Sequence, residues 1–109
     1  MTSQKKQYNK LVRDRIPEII QEEGKICLCE TLDPEKYLCF LDEKLNEELA
    51  EYQESKSLEE LADLLEVMEA VVKARGYTWN QLTAVCSEKR EKRGGFEKHI
   101  LLKEVYDNR

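Results

Sequence analysis

The chain has 109 residues, which suits a single domain over residues 1–109, and 38% of its residues are charged. The net charge of −5 is unevenly spread, because residues 37–69 carry two basic and eleven acidic side chains, whereas residues 70–109 carry nine basic and five acidic ones. An acidic middle argues against binding of polymeric nucleic acid, which requires a basic face, and favours recruitment of divalent cations.

The sequence gives no sign of a membrane or secreted protein. Its opening, MTSQKKQYNK, has lysines without the apolar core of a secretory signal, and no stretch approaches the roughly 20 apolar residues that span a bilayer. We therefore expect a cytoplasmic protein with no membrane partner. Its four cysteines are expected to stay reduced and mostly to pack as small apolar side chains. A single histidine argues against a histidine-based metal site.

Local patterns predict an all-α fold with minor extended segments. Ile16, Ile19 and Ile20 recur at helical spacing and Pro17 suits a first helical position, which predicts a short helix ending at Gly24. Residues 25–32 alternate polar and apolar side chains, which predicts an extended segment or a short strand.

Two long amphipathic helices are predicted next. Asp33 and Pro34 supply the N-cap and first residue of a helix that runs through residue 53, and Ser57 opens a second helix that runs to Gly76. The connection of about four residues predicts that the two pack antiparallel as a hairpin. Because the second helix is apolar over more than half its circumference, we predict a homodimer whose two hairpins complete a four-helix core.

A fourth helix and a tail complete the predicted elements. Thr78 with Gln81 three residues later matches a capping box, and Gly94 with Gly95 ends the helix that it opens. The tail after Gly95 is predicted to be extended.

Two pairs of carboxylates turn toward the side where the long helices meet. At about 100° per residue, Glu48 lies inside the apolar arc of the first long helix and Glu51 lies on its flank. On the second long helix, Glu60 lies inside the apolar arc and Asp63 lies at its border. Carboxylates so close together need either raised pKa values or a cation. Mg²⁺ is the cation that we expect, with Mn²⁺ as an alternative. The predicted ligands are Glu48, Glu51, Glu60 and Asp63, with Glu47 as an auxiliary.

Glu60 also has a purely local interpretation. Ser57-x-x-Glu60 matches a capping box, in which the Glu60 carboxylate accepts a backbone N–H instead of binding a cation.

The acidic motif resembles that of a known enzyme family. Glu47-Glu48-x-x-Glu51 followed by Glu60-x-x-Asp63 is similar to the EExxE…ExxD signature of the MazG-like all-α NTP pyrophosphatase superfamily. The segments 8–17 and 92–96 resemble one small branch of it, described as phosphoribosyl-ATP pyrophosphohydrolase-like. The resemblance implies Mg²⁺ bound by the acidic quartet, and hydrolysis of a nucleoside triphosphate to monophosphate and pyrophosphate. It also implies that a water attacks the α-phosphorus in line, with Glu48 or Glu51 as the catalytic carboxylate that orients or deprotonates it.

A triphosphate substrate also needs cationic and N–H donors. The candidates for phosphate or substrate binding are Asn9, Lys10, Arg13, Lys44, Lys89 and Arg93. Lys44 lies one turn before Glu48 and also suits an i,i+4 ion pair. Lys89 and Arg93 also suit the negative end of a helix dipole.

Two alternative functions remain open. One is phosphoribosyl-ATP pyrophosphohydrolase activity in histidine biosynthesis, which cleaves the same bond and differs in the base and ribose pockets. The other is a non-catalytic helical interaction module whose acidic surface binds a basic partner. The preferred nucleotide is not predicted, because Tyr37, Tyr52, Tyr77 and Trp79 suit base stacking and core positions alike.

Overall fold

The fold is helical throughout the part of the chain that the structure describes. This computed structural model describes residues 5–108, which contain four α-helices and no β-strand. The helices are α1 (Ile16–Glu22), α2 (Pro34–Ser55), α3 (Leu58–Ala74) and α4 (Trp79–Arg93). The prediction of an all-α fold is therefore confirmed. Residues 1–4, which begin the segment interpreted as lacking a secretory signal, lie outside the described residues.

The helices begin at the capping residues that the sequence predicts. The Asp33 carboxylate accepts a hydrogen bond from the backbone N–H of Lys36 at 2.9 Å, which satisfies a free donor of α2. At α4, the Thr78 hydroxyl accepts from the Gln81 N–H while the Gln81 side chain accepts from the Thr78 N–H. Both halves of this capping box form, and the predicted start of α4 is confirmed.

Helix ends and connections also follow the local sequence. Gly24 after α1 and Gly94 after α4 both have positive φ, at 79° and 83°, which a glycine adopts without steric cost. Residues 25–33 form neither helix nor strand, so the alternative of a short strand is not realised there. In the tail after α4, the apolar side chains of Ile100, Leu101 and Leu102 are exposed.

The core lies along the contact between α2 and α3. Lys56 adopts a left-handed conformation with φ 57° and ends α2, so only Lys56 and Ser57 separate the two helices. The helices pack against each other, and Leu41 and Val72 are the buried apolar side chains among the described residues. The guanidinium of Arg75, the residue after α3, donates to the Asp42 carboxylate of α2 at 3.0 Å and adds a polar contact.

The chain divides into two compact units. One unit ends at Tyr77 and contains α1, α2 and α3, and the other begins at Thr78 and contains α4 and the tail. Among the described residues, no helix is both long enough and apolar enough to cross a membrane.

The cysteines differ from the expectation. All four are free thiols, but Cys29, Cys39 and Cys86 are exposed, so the expectation that the thiols mostly pack as apolar groups was wrong. The reason is visible on α2, where Cys39 lies two residues from the buried Leu41 and therefore about 200° away around the helix. A core this narrow buries one face of α2 only.

Candidate metal centre

Carboxylates from α2 and α3 come together in two overlapping groups. One group contains Glu47, Glu48 and Glu51 of α2, and the other contains Glu48 of α2 with Glu60 and Asp63 of α3. Within each group, one carboxylate oxygen from every residue lies within 4.8 Å of the others. We call these five residues the carboxylate cluster. Glu48 belongs to both groups, so it is the residue that links the acidic groups of the two helices.

Two oxygen atoms of the carboxylate cluster are buried without a partner. Glu48 is only 6% exposed, and its Oε2 atom has no hydrogen-bond partner among the described residues. The Oε2 atom of Glu60, on the other helix, is buried and unpartnered in the same way. A buried carboxylate oxygen that lacks a hydrogen bond or a counter-charge carries a large desolvation cost. The cluster therefore has the electrostatic character of a cation site, and its all-oxygen donors fit a hard divalent ion.

The pKa values of the same two carboxyl groups are perturbed. Burial raises the pKa of Glu48 above its ordinary value, and the neighbouring charge of Glu51 raises it further. Burial also raises the pKa of Glu60, with the adjacent Glu51 carboxyl adding to the rise. For the carboxyl groups of Glu48 and Glu60, the charged form is therefore disfavoured when no cation is present.

The capping alternative for Glu60 is only half realised. The Ser57 hydroxyl accepts a hydrogen bond from the Glu60 backbone N–H at 3.3 Å, so Ser57 is an N-cap as predicted. The Ser57 N–H, however, donates to the Ser55 hydroxyl at 3.2 Å, not to the Glu60 carboxylate. The reciprocal half of the capping box is therefore absent at this helix start. The Glu60 carboxylate lies beside Glu48 and Asp63 instead, which corrects the local interpretation.

Three of the predicted phosphate-binding cations contact the carboxylate cluster. Lys10 donates to Glu47 at 2.9 Å, and Arg13 donates to Asp63 at 2.6 Å. Lys44 lies 3.3 Å from the same Glu47 oxygen and also forms the predicted i,i+4 pair with Glu48, at 3.4 Å. The hydrogen bond from Lys10 lowers the pKa of Glu47 and raises that of the lysine. The segment before α1 is thereby tied to both α2 and α3.

Among the described residues, the other predicted substrate-binding residues form no hydrogen bond or ion pair with the carboxylate cluster. Asn9 is an exposed neighbour of Lys10 with a positive φ of 48°. Lys89 and Arg93 are exposed residues of α4, in the second unit. Their role in substrate binding stays a prediction.

A groove in the first unit was not predicted from the sequence. It has a volume of about 400 Å³. Its lining residues are Tyr37 of α2 and Glu66, Glu69, Ala70, Lys73 and Ala74 of α3. A sequence signal existed, because Ala70 and Ala74 repeat the α3 face of Asp63 and Glu60 at intervals of seven and fourteen residues.

Comparison with known proteins does not define a family. No protein-family model matches the chain, and no solved structure matches it. An uncharacterized protein of Mycolicibacterium smegmatis is 51% identical over 41 residues. The match covers 38% of this chain and 42% of that protein, so the chain corresponds to less than half of its relative.

Proposed function

We propose that this chain is a Mg²⁺-dependent nucleoside triphosphate pyrophosphohydrolase of the MazG-like all-α superfamily. The observation that carries the proposal is the pair of buried, unpartnered oxygens, Glu48 Oε2 and Glu60 Oε2, on two helices that pack together. One divalent ion satisfies several such oxygens at once. The motif resemblance described above supports the same assignment independently.

The carboxylate cluster supplies suitable ligands for the ion. Glu48, Glu51, Glu60 and Asp63 would hold it, with Glu47 as the auxiliary ligand. Because every donor in the two groups is a carboxylate oxygen, the cluster favours Mg²⁺, or Mn²⁺ as the alternative, over softer metals. When bound, the ion supplies charge neutralisation and Lewis-acid polarisation of phosphate oxygens.

The chain's own cations bind and orient the phosphates. The Lys10 and Arg13 side chains are 43% and 58% exposed. Because neither is buried in the core, each can exchange its carboxylate partner for a phosphate oxygen without disrupting the packing. Lys44 is held next to Glu48 and adds a third positive charge at the same place. These contacts fix the α–β phosphoanhydride beside the carboxylate cluster.

A carboxylate of α2 then removes a proton from the attacking water. Glu48 or Glu51 accepts a hydrogen bond from a water and takes its proton as the water oxygen bonds to the α-phosphorus. The bond from that phosphorus to the bridging oxygen breaks, and pyrophosphate leaves. The proton is taken by whichever of the two carboxylates keeps an oxygen free of the ion, because an oxygen bound to a cation is a weaker base.

The proposal includes an antiparallel arrangement of α2 and α3 in a homodimer. Arg75, just after α3, pairs with Asp42 in the first half of α2, whereas Asp63 in the first half of α3 groups with Glu48, further along α2. Leu58, Leu61, Leu65 and Met68 recur at helical spacing on α3, and all four are exposed. We call them the α3 stripe. A second copy that packs its own stripe against this one completes a four-helix core.

Nucleoside triphosphates incubated with the protein and Mg²⁺ are expected to yield monophosphate and pyrophosphate. The products are identified by ion-exchange chromatography and ³¹P NMR, and chelation of the metal should stop the reaction. Glu60→Gln keeps the size and hydrogen-bonding capacity of the side chain while removing its charge, so it should be inactive. Formation of diphosphate with orthophosphate, or hydrolysis that persists in a chelator, would contradict the proposal.

A further inference from the structure

The groove beside Tyr37 lies on the same side of α2 and α3 as the carboxylate cluster. On α3, Ala70 lies seven residues after Asp63, and on α2, Tyr37 lies eleven residues before Glu48. At about 100° per residue, the members of each pair project within about 20° of each other around their helix. The groove and the carboxylate cluster therefore lie along the same side of the first unit.

The spacing along this surface suits a nucleotide. Two helical turns, about 10 Å, separate Asp63 from Ala70, and the same distance separates Tyr37 from Lys44. Lys44 contacts Glu47 and Glu48, so it marks the edge of the cluster that faces the groove. The α-phosphate, ribose and base of a nucleotide together span a distance of this order.

The groove walls combine an aromatic ring, free volume and hydrogen-bonding groups. Tyr37 is half-buried, and the methyl side chains of Ala70 and Ala74 leave the space opposite it unfilled. Glu69 lies 3.8 Å from Lys73 as an i,i+4 ion pair, whereas Glu66 is an exposed carboxylate at the same groove. Carboxylates accept hydrogen bonds and do not donate them, which favours a ligand that carries N–H groups.

We propose that this groove binds the base of the nucleotide whose phosphates lie at the carboxylate cluster, and that it prefers bases with an exocyclic amino group. The assignment rests on the proposed function and extends it to the substrate class. The Tyr37 ring stacks on the base, and Glu66 accepts from the amino group. Ala70 lies about 140° around α3 from Leu65, so a second copy that covers the α3 stripe leaves the groove open.

The test is calorimetric titration of the full chain, in Mg²⁺, with the non-hydrolysable α,β-methylene analogue of CTP and with inorganic tripolyphosphate. Ala70→Leu fills the groove and is expected to raise the dissociation constant of the analogue by about tenfold or more, because stacking on a base contributes on the order of 1–3 kcal/mol. The dissociation constant of tripolyphosphate should not change. Ala50→Leu is the matched control, since Ala50 is exposed about 140° around α2 from Tyr37, and it should change neither constant.

The outcomes distinguish a failure of the groove assignment from a failure of the proposed function. If Ala70→Leu weakens both ligands equally or neither of them, the groove assignment is overturned while the proposed function stands. Equal binding of the UTP and CTP analogues by the wild-type protein overturns the preference for amino-bearing bases. If the wild-type protein binds neither the analogue nor tripolyphosphate, both the groove and the proposed function fail. Tyr37→Ala tests the groove from the α2 side, and it should likewise weaken binding of the analogue but not of tripolyphosphate. Circular dichroism verifies that each variant is folded.

Discussion

Glu48→Gln is expected to lower pyrophosphohydrolase activity by at least about a hundredfold. Glu48 is the residue shared by the two carboxylate groups, so its loss leaves neither group with three acidic members. Changes to residues that only orient metal ligands typically cost about 10- to 100-fold in affinity or activity, and a ligand itself should cost no less. The measurement is the steady-state rate of pyrophosphate release at saturating Mg²⁺.

The same substitution is expected to stabilise the metal-free protein near neutral pH. Because burial raises the pKa of Glu48 above its ordinary value of 4.5, the folded state holds this proton more tightly than the unfolded chain does. The carboxyl therefore favours folding below pH 4.5, and this contribution is lost as the pH rises through the higher pKa of the folded state. In a chelator, the melting temperature of Glu48→Gln minus that of the wild-type protein should increase as the pH rises from about 4.5 toward neutrality.

Mg²⁺ should reverse this order of stability. A ligand that binds only the folded state raises the melting temperature, and the carboxylate cluster exists only when α2 and α3 are packed. The wild-type protein should therefore gain stability on addition of Mg²⁺, and Glu48→Gln should not. Glu54→Gln, a change at an exposed acid of α2, is the control and should respond like the wild-type protein. If Mg²⁺ leaves all three proteins unchanged, the acidic interaction module becomes the better explanation of the cluster.

The parts of this architecture that depend on neighbouring residues could be predicted from the sequence. Asp33, Ser57 and Thr78 cap the helices that follow them, because a short polar side chain meets backbone N–H groups only two or three residues away. The inward placement of Glu48 and Glu60 follows from the fixed rotation of a helix per residue. Local geometry was sufficient for these features.

The partners of the predicted residues could not be obtained in this way. Lys10 and Arg13 pair with acids 37 and 50 residues further along the chain, and no local spacing encodes such contacts. Glu60 suits both a capping box with Ser57 and a ligand pair with Asp63, and the choice depends on the packing of α2 against α3. The spacing of Ala70 and Ala74 places them on the α3 face of Asp63 and Glu60, but it does not indicate that Tyr37 of another helix lines the same groove.

Leu65→Lys is expected to convert the protein from a dimer to a monomer and to lower its melting temperature. Leu65 is 49% exposed in the single chain and lies in the middle of the α3 stripe, where a second copy would bury it. A lysine there loses apolar burial of roughly 2 kcal/mol per subunit and puts two like charges at the centre of the interface. Because Leu41 and Val72 are the buried apolar residues of the described chain, little core remains to keep a separated subunit folded.

The mass in solution decides this prediction. Light scattering coupled to size-exclusion chromatography at micromolar concentration should give twice the chain mass of 12.9 kDa for the wild-type protein and the single mass for Leu65→Lys. Leu101→Lys makes the same change at a leucine of the tail that lies outside the α3 stripe and is 78% exposed, and this variant should remain dimeric. A monomeric wild-type protein would contradict the four-helix core directly. A dimeric Leu65→Lys variant with an unchanged melting temperature would show that the dimer uses some other surface.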